Sequence, residues 1–135
     1  MSKSAIYVVN NTAQNVAVNG QISLGNVIRR FGCNCQLVNN AIRVSGSGYY
    51  DIDASFTVAP TAAGNVTITM YKDGVEVPGA AATETATAAN DIINLSISCL
   101  VREFCPCCDE SSALTFVLSG TAASITNVAI VGEKL

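Results

Sequence analysis

Six cysteines are the residues of this 135-residue chain whose type and spacing could support chemistry. They occur as Cys33-Asn34-Cys35, as the isolated Cys99, and as Cys105-Pro106-Cys107-Cys108. Zinc ribbons are typically built from paired C-x-x-C motifs, and neither cluster has that spacing. In an extended segment the two cysteines of a C-x-C motif lie roughly 7 Å apart between their Cα atoms, about the upper limit for a direct disulfide. Each clustered cysteine is therefore expected to bond to another segment.

The spacing predicts disulfides that join the two clusters, within one chain or between neighbouring chains. The candidate residues are Cys33, Cys35, Cys105, Cys107 and Cys108. Two alternatives stay open: zinc or an iron–sulfur cluster held by these thiols, and cysteines that remain reduced. Cys99 is in phase with apolar strand residues on either side of it and is expected to be a buried free thiol.

The remaining side chains offer little for catalysis, because the sequence contains no histidine. This excludes Ser-His-Asp and Cys-His catalysis and every histidine-ligated metal site. A thiol oxidoreductase typically has C-x-x-C at the start of a helix in an α/β pattern, and neither feature is present. The pairs Asp51 with Asp53 and Asp109 with Glu110 are expected to be solvated charges rather than metal ligands. We predict a non-enzyme with no cofactor and no metal.

The charge balance argues against nucleic acid as a partner. Seven Lys and Arg face ten Asp and Glu, and only 13% of residues are charged. This net charge of −3 has the wrong sign for binding phosphates. The adjacent pair Arg29 and Arg30 is expected to form a surface salt bridge or to contact a neighbouring subunit. No apolar run approaches the roughly 18 residues of a membrane helix, and residues 5–9 are too short for a signal peptide, so we expect no membrane insertion.

The elements that position these residues are predicted to be short β-strands. The chain has 15 Val, 11 Ile and 11 Thr, which favour pleated sheets. Apolar and polar residues alternate clearly over residues 48–58 and again over residues 66–71. Asp73-Gly74 predicts a two-residue hairpin, and Pro78-Gly79 is expected to end the strand that follows. Residues 80–90 are rich in Ala and Thr and are predicted to be a mobile loop or an extended segment rather than a helix.

Further strands are predicted on both sides of this region. The later residues expected to point inward are Ile93, Leu95, Ile97, Cys99, Val101, Leu114, Phe116, Leu118, Thr126, Val128 and Ile130. The earlier apolar pairs are Ile6 and Val8, Val16 and Val18, Ile22 and Leu24, Val27 and Ile28, and Ile42 and Val44. Together they predict an all-β fold, a jelly-roll β-sandwich of about eight to ten antiparallel strands, in a single domain that spans residues 1–135.

Four segments resemble the superfamily of tumour necrosis factor and the complement globular heads, in particular its compact bacterial and phage versions. They are residues 16–24 (VAVNGQISL), 48–56 (GYYDIDASF), 64–74 (GNVTITMYKDG) and 127–131 (NVAIV). The resemblance implies a jelly roll that trimerises about a three-fold axis, with the apolar outer surface of one sheet as the subunit interface.

This resemblance indicates a structural surface protein, most simply a homotrimeric phage virion component such as a capsid decoration, head-fibre or tail-associated protein. Its expected partners are other copies of the chain and other virion or surface structural proteins, and its expected location is a virion or extracellular surface. One alternative is a receptor- or glycan-binding module; another is a structural protein of a bacterial spore or cell surface. The four Tyr, four Phe and absence of Trp favour a structural role, since most of these aromatic residues fall in phase within strands.

Overall fold

A computed structural model describes residues 3–103 and 111–135, and the secondary structure in these ranges consists of strands and turns. Eleven strands are formed: β1 (Ala5–Asn10), β2 (Gln14–Val16), β3 (Asn26–Phe31), β4 (Cys35–Val38), β5 (Ala41–Ser45), β6 (Gly48–Pro60), β7 (Gly64–Lys72), β8 (Val75–Ala86), β9 (Ile93–Glu103), β10 (Ser111–Ser119) and β11 (Ala123–Lys134). The all-β prediction is confirmed. There are slightly more strands than the predicted eight to ten, since the count includes β2 and β4, which have only three and four residues.

The strands form two antiparallel sheets that pack face to face. Sheet A has the order β3-β1-β11-β6-β9, with β2 also paired to β11, and sheet B has the order β4-β5-β10-β7-β8. Neighbours in each sheet are mostly distant in the chain, as in a jelly roll. The predicted jelly-roll sandwich is confirmed.

The core lies between the sheets, and alternation along the strands fills it. In β6 every second residue from Tyr50 to Val58 is buried, as the sequence pattern predicts. The rings of Phe56 from sheet A and Phe116 from sheet B meet with their centroids 5.5 Å apart and their planes tilted by 56°. Tilted aromatic pairs at this separation are favourable beyond the area that they bury. This contact holds the two sheets together near the centre of the sandwich.

The hairpin between β7 and β8 has the predicted two-residue turn. Asp73 and Gly74 have φ values of 52° and 82°, the left-handed conformation that this turn requires. The carboxylate of Asp73 also accepts a hydrogen bond of 2.9 Å from the backbone N–H of Ala113. The turn is therefore tied to β10, the strand on the other side of β7.

The prediction that Pro78-Gly79 ends a strand is wrong. β8 continues through both residues to Ala86, and its register with β7 shifts between Thr69 and Tyr71. β8 is an edge strand, so the missing N–H of Pro78 need not break a ladder, and Gly79 with φ 81° supplies the bend of a bulge. Residues 80–86 are extended, one of the two conformations expected for this segment.

Two further expectations are corrected. Thr126 is exposed rather than inward, because the register between β11 and β6 shifts between Ile125 and Asn127 and gives Ile125 the buried position. Among the early apolar pairs predicted as strands, Val18, Ile22 and Leu24 lie outside the strands, although Ile22 and Leu24 are buried, whereas Val27 and Ile28 lie within β3 as predicted, with exposed side chains. A bulge or an edge position changes which side chains are buried, and the alternation of apolar and polar residues in the sequence does not reveal it.

Candidate interaction face and cysteine sites

The outer face of sheet A, called here the interaction face, is formed by the residues of β1, β6, β9 and β11 that alternate with the buried ones, and by the β3 residues that pair with outward residues of β1. Strand pairing aligns these residues in rows that cross the sheet. One row contains Arg29, Tyr7, Val131, Asp53 and Ser98 in that order. The rows fix which side chains a partner lying on this face would meet.

Large apolar side chains are concentrated on the strands of sheet A. Ten are exposed among the described residues, and six of those ten lie in this sheet: Val27, Ile28, Phe31, Tyr49, Leu100 and Val131. Phe31, Tyr49, Leu100 and Val131 lie on the outer face, whereas Val27 pairs with buried Val8 and Ile28 lies at the register shift between β1 and β3. In sheet B only Val75 belongs to this set. Apolar surface gathered on one side of a protein typically marks a contact with a partner. The distribution makes sheet A the candidate interaction side of the molecule.

Two depressions shape this face. A shallow one of about 280 Å³ lies over β6, β9 and β11, where the outward residues are small: Ser55, Ser96, Ser98 and Ala129. A second, of about 210 Å³, lies between β1, β3 and β11 and is lined by Tyr7, Arg29, Phe31 and Val131, among others. Short side chains let another surface approach the backbone closely. The face is therefore recessed at its centre and apolar towards the β3 edge.

Charges on the interaction face are unevenly distributed. Asp51 lies directly opposite Glu133, and Asp53 is two residues further along β6. Asp53 accepts a hydrogen bond of 2.7 Å from the hydroxyl of Ser98. Both aspartates lie on the outward side of β6, as predicted. Within residues 3–103 and 111–135, no three Cys, Asp or Glu side chains are grouped so that they could hold a metal ion.

The first cysteine cluster lies at one end of the sandwich, between β3 and β4. The hydroxyl of Ser4 donates to the side-chain oxygen of Asn34 at 2.9 Å and accepts from the Asn34 backbone N–H at 3.1 Å. The Asn34 amide group donates to the Ser45 carbonyl at 2.6 Å. Cys33 is exposed and Cys35 is buried, and no disulfide joins either of them to another cysteine of the described residues. Asn34 thus fixes the segment so that its two cysteines have opposite environments.

The buried side of this cluster contains three titratable groups. Burial raises the pKa of the Cys35 thiol to about 11, although Arg30 and Lys134 oppose the shift. Burial also raises the pKa of Tyr50 to about 12, with further contributions from Cys35 and Glu103. The Tyr50 hydroxyl donates to the carbonyls of Ser45 and Gly46. Glu103 is only 5% exposed, and its Oε2 has no hydrogen-bond partner.

The second cysteine cluster, with Cys105, Cys107 and Cys108, lies outside the described residues, as do Asp109 and Glu110. The residues that flank it are described. Glu103 pairs with Gly48, and Ser111 pairs with Ser45, whose backbone N–H donates to the Asn34 carbonyl at 2.9 Å. Both flanks therefore meet the chain beside the first cluster, although the pairing of individual cysteines stays a prediction.

Cys99 is free, as predicted, but only partly buried in β9. Its Sγ points to the Met70 sulfur at 4.0 Å. Burial, with smaller contributions from the carboxylates of Asp51 and Asp53, raises the pKa of Cys99 to about 11. At neutral pH the Cys99 thiol is protonated and packs as a small apolar side chain.

We expect the described thiols to differ in their reaction with an alkylating reagent. The thiolate is the reactive form, so at pH 8 the raised pKa values and burial of Cys35 and Cys99 make both slow. If Cys33 is reduced, its exposure makes it accessible. Mass mapping after a short iodoacetamide pulse measures the three rates. Raising the pH towards 11 should make the alkylation of Cys99 faster than at pH 8. Equal labelling of Cys35 and Cys33 would contradict the burial assigned to Cys35.

The comparisons with known proteins show similarity in structure. The globular domain of zebrafish complement 1qA matches with a TM-score of 0.69 at 7% identity, over 97% of this chain and 95% of that one. The Eiger TNF of S. frugiperda matches with a TM-score of 0.69 at 8% identity, over 98% and 91%. The PRD1 vertex protein P5 matches with a TM-score of 0.63 at 16% identity, over 98% and 96%. At these identities the likeness concerns the fold.

In sequence, no protein-family model matches the chain and no curated protein matches it. The described ranges also contain no helix long and apolar enough to cross a membrane. The structural matches nevertheless confirm the jelly-roll fold that the resemblance of the four sequence segments implied.

Proposed function

We propose that this chain, a jelly roll of the tumour necrosis factor and complement 1q type, is a non-enzymatic structural protein that forms a homotrimer on a virion or other extracellular surface. The observation that carries the proposal is the concentration of exposed large apolar side chains on sheet A. Other copies of the chain would cover this face. Further structural proteins of the same particle would contact the remaining surface.

The composition supports an assembled state. With only 13% charged residues, the chain has few charges with which to cover an isolated surface. The recessed centre of the interaction face has small residues, which allow close approach of a second sheet. A closed ring buries such a face on every copy, and closed symmetry is the rule for soluble homo-oligomers. The fold likeness to TNF and to the complement 1qA domain favours three copies over two.

A virion as the setting has support of a different kind. The PRD1 protein of the same fold is a vertex protein, which places this architecture on a particle in at least that case. The alternative setting, a bacterial spore or cell surface, uses the same physical properties. The genes beside the one that encodes this chain discriminate between the two settings, because capsid and portal genes would accompany a virion protein.

A receptor- or glycan-binding module is the other function class predicted from the sequence. Such modules typically present aromatic side chains on loops at one end of the sandwich. Among the described residues, the large exposed aromatic side chains are Phe31 and Tyr49, and both lie in strands of sheet A. Their position favours contact between subunits over capture of a ligand by loops.

The trimer is tested by the mass of the purified full chain in solution. We expect multi-angle light scattering to give about three times the chain mass of 13.9 kDa at micromolar concentration. Val131→Arg, in the middle of the interaction face, is expected to shift the protein towards monomer. Val117→Arg is the matched control, since Val117 lies on the outward side of the central strand of sheet B. A wild-type protein that stays monomeric would overturn the proposal.

A further inference from the structure

We infer that neighbouring subunits contact each other head to tail, with Arg29 on the β3 edge of one copy paired to Asp53, near the β9 edge of the next. This inference rests on the proposed homotrimer and specifies which parts of the interaction face meet. It is argued from the exposure of β3, from the distribution of charge across sheet A, and from the geometry of a closed ring.

β3 is the first observation, because its own chain leaves it uncovered. All six of its residues are exposed, which is true of no other described strand. It pairs with β1 along one edge, and no described strand pairs with its other edge. Ile28 is 55% exposed and Phe31 is 61% exposed. Exposed edge strands with apolar side chains are usually blunted or covered, so β3 requires a partner.

The second observation is the distribution of charge on the interaction face, where Arg29 lies at the β3 edge, Arg102 lies near one end of β9, and three carboxylates lie between them. Arg29 lies at the β3 edge, on the same side of the sheet as Tyr7, with which it pairs. The carboxylates of Asp51, Asp53 and Glu133 lie on β6 and β11, towards the other edge. Asp51 and Glu133 are directly opposite each other, an arrangement of like charges that destabilises a sheet. A cation from outside the chain would relieve this repulsion.

The described cations of the same chain are poorly placed to neutralise Asp53. Arg102 lies on β9 opposite Tyr49, four residues from Ser98, which is the residue opposite Asp53; four residues of a strand span roughly 13 Å. Arg29 and Asp53 lie three strands apart, which corresponds to roughly 14 Å at the usual spacing between strands. This separation is too large for an ion pair. Arg30 points to the other side of β3, where its Nε donates to the Cys35 carbonyl at 2.7 Å. A partner for the Asp53 carboxylate is therefore expected to come from a second copy.

Ring closure supplies the required geometry. A ring uses a heterologous contact, in which two different patches of each subunit meet. If three copies turn sheet A towards a common axis, the β3 edge of each copy lies beside the β9 edge of its neighbour, since these are the two edges of the sheet. Arg29 then approaches the acidic side of the neighbouring face. A pairing of two β3 edges would instead bring two arginines together.

A charge-exchange experiment on the full chain tests the pairing. Arg29→Glu and Asp53→Arg are each expected to raise the protein concentration at which half of the trimer dissociates by about tenfold or more, because close interfacial charge pairs couple strongly. Sedimentation over a dilution series measures this concentration. The double variant is expected to return to within a few-fold of wild type. Arg43→Glu is the control, because Arg43 lies in sheet B and hydrogen-bonds to Ser111. Arg29→Gln and Asp53→Asn provide a milder pair if a reversal prevents folding.

The outcomes separate the two proposals. A monomeric wild type would overturn the trimer, and the head-to-tail contact with it. If the wild type is trimeric but the double variant loses as much trimer stability as the two single variants together, the Arg29–Asp53 pairing is overturned and the trimer is not. Recovery in the double variant supports both.

Discussion

Phe116→Ala is expected to lower the free energy of unfolding by about 3–5 kcal/mol, the usual range for truncating a buried phenylalanine. Phe116 is fully buried in sheet B, and its ring contacts that of Phe56 in sheet A. Removing it opens a cavity between the sheets, where close-packed neighbours relax only partly. Urea unfolding measures the loss, at one fixed protein concentration because the stability of the proposed trimer would depend on concentration.

The same unfolding experiment applies to four other buried residues and to one exposed residue as a control. Ile52, Phe56, Ile68 and Ile97 are buried as the sequence predicts, and truncating each to alanine should cost about 2–5 kcal/mol. Thr67→Ala should cost less than about 1 kcal/mol, since Thr67 faces outward, where its hydroxyl hydrogen-bonds to that of Thr83. Equal losses in the two classes would mean that the strand registers described above are wrong by one residue.

Reduction of the clustered cysteines is expected to have the second-largest effect. We propose a disulfide that joins Cys33 to one of Cys105, Cys107 and Cys108, because both flanks of the second cluster meet the chain beside Asn34. Exposed Cys33 is a better candidate than buried Cys35. Closing so long a loop stabilises a protein by roughly 4–4.5 kcal/mol in the chain-entropy model. Reductant should therefore lower the melting temperature, whereas a chelator should leave it unchanged.

Two variants separate this effect from general thiol chemistry. Cys33→Ser should remove most of the sensitivity to reductant, whereas Cys99→Ser, which changes a free thiol, should retain it. Intact mass should show the loss of two hydrogens per disulfide in the wild type. Stoichiometric zinc or iron in the purified protein would contradict the proposal in favour of a metal site. Six free thiols would contradict it as well.

Sequence patterning was sufficient where buried and exposed residues alternate strictly along a strand, or where a turn has a characteristic sequence. β6 has strict alternation from Tyr50 to Val58, and Asp73-Gly74 has the residues that its turn needs. Patterning failed where the ladder is irregular. The bulge near Gly79 lets an edge strand continue through a proline, and the bulge near Thr126 exchanges buried for exposed positions. Such irregularities depend on the partner strand, which a single segment of sequence does not specify.

The interaction face was predictable only in outline. The low charge and the family resemblance predicted an apolar sheet surface, but they did not indicate which sheet, because strand order arises from contacts between distant segments. Arg29 and Arg30 were identified as a possible subunit contact from their adjacency alone. Only the pairing with β1 separates their roles, since it directs Arg29 outward and leaves Arg30 to bind the Cys35 carbonyl. Glu103 was missed entirely, since nothing in its local sequence signals a buried carboxylate.

The place of β11 in sheet A has a consequence for biosynthesis. β11 pairs with β1, β2 and β6, so the last of the described strands to leave the ribosome lies at the centre of the sheet. Until it emerges, β1 and β6 have no common neighbour, and each of them has one unpaired edge. Because pairings between such distant segments form slowly, the nascent chain passes through an interval with open strand edges. A chaperone that holds extended apolar segments would act during that interval, before any trimer can assemble.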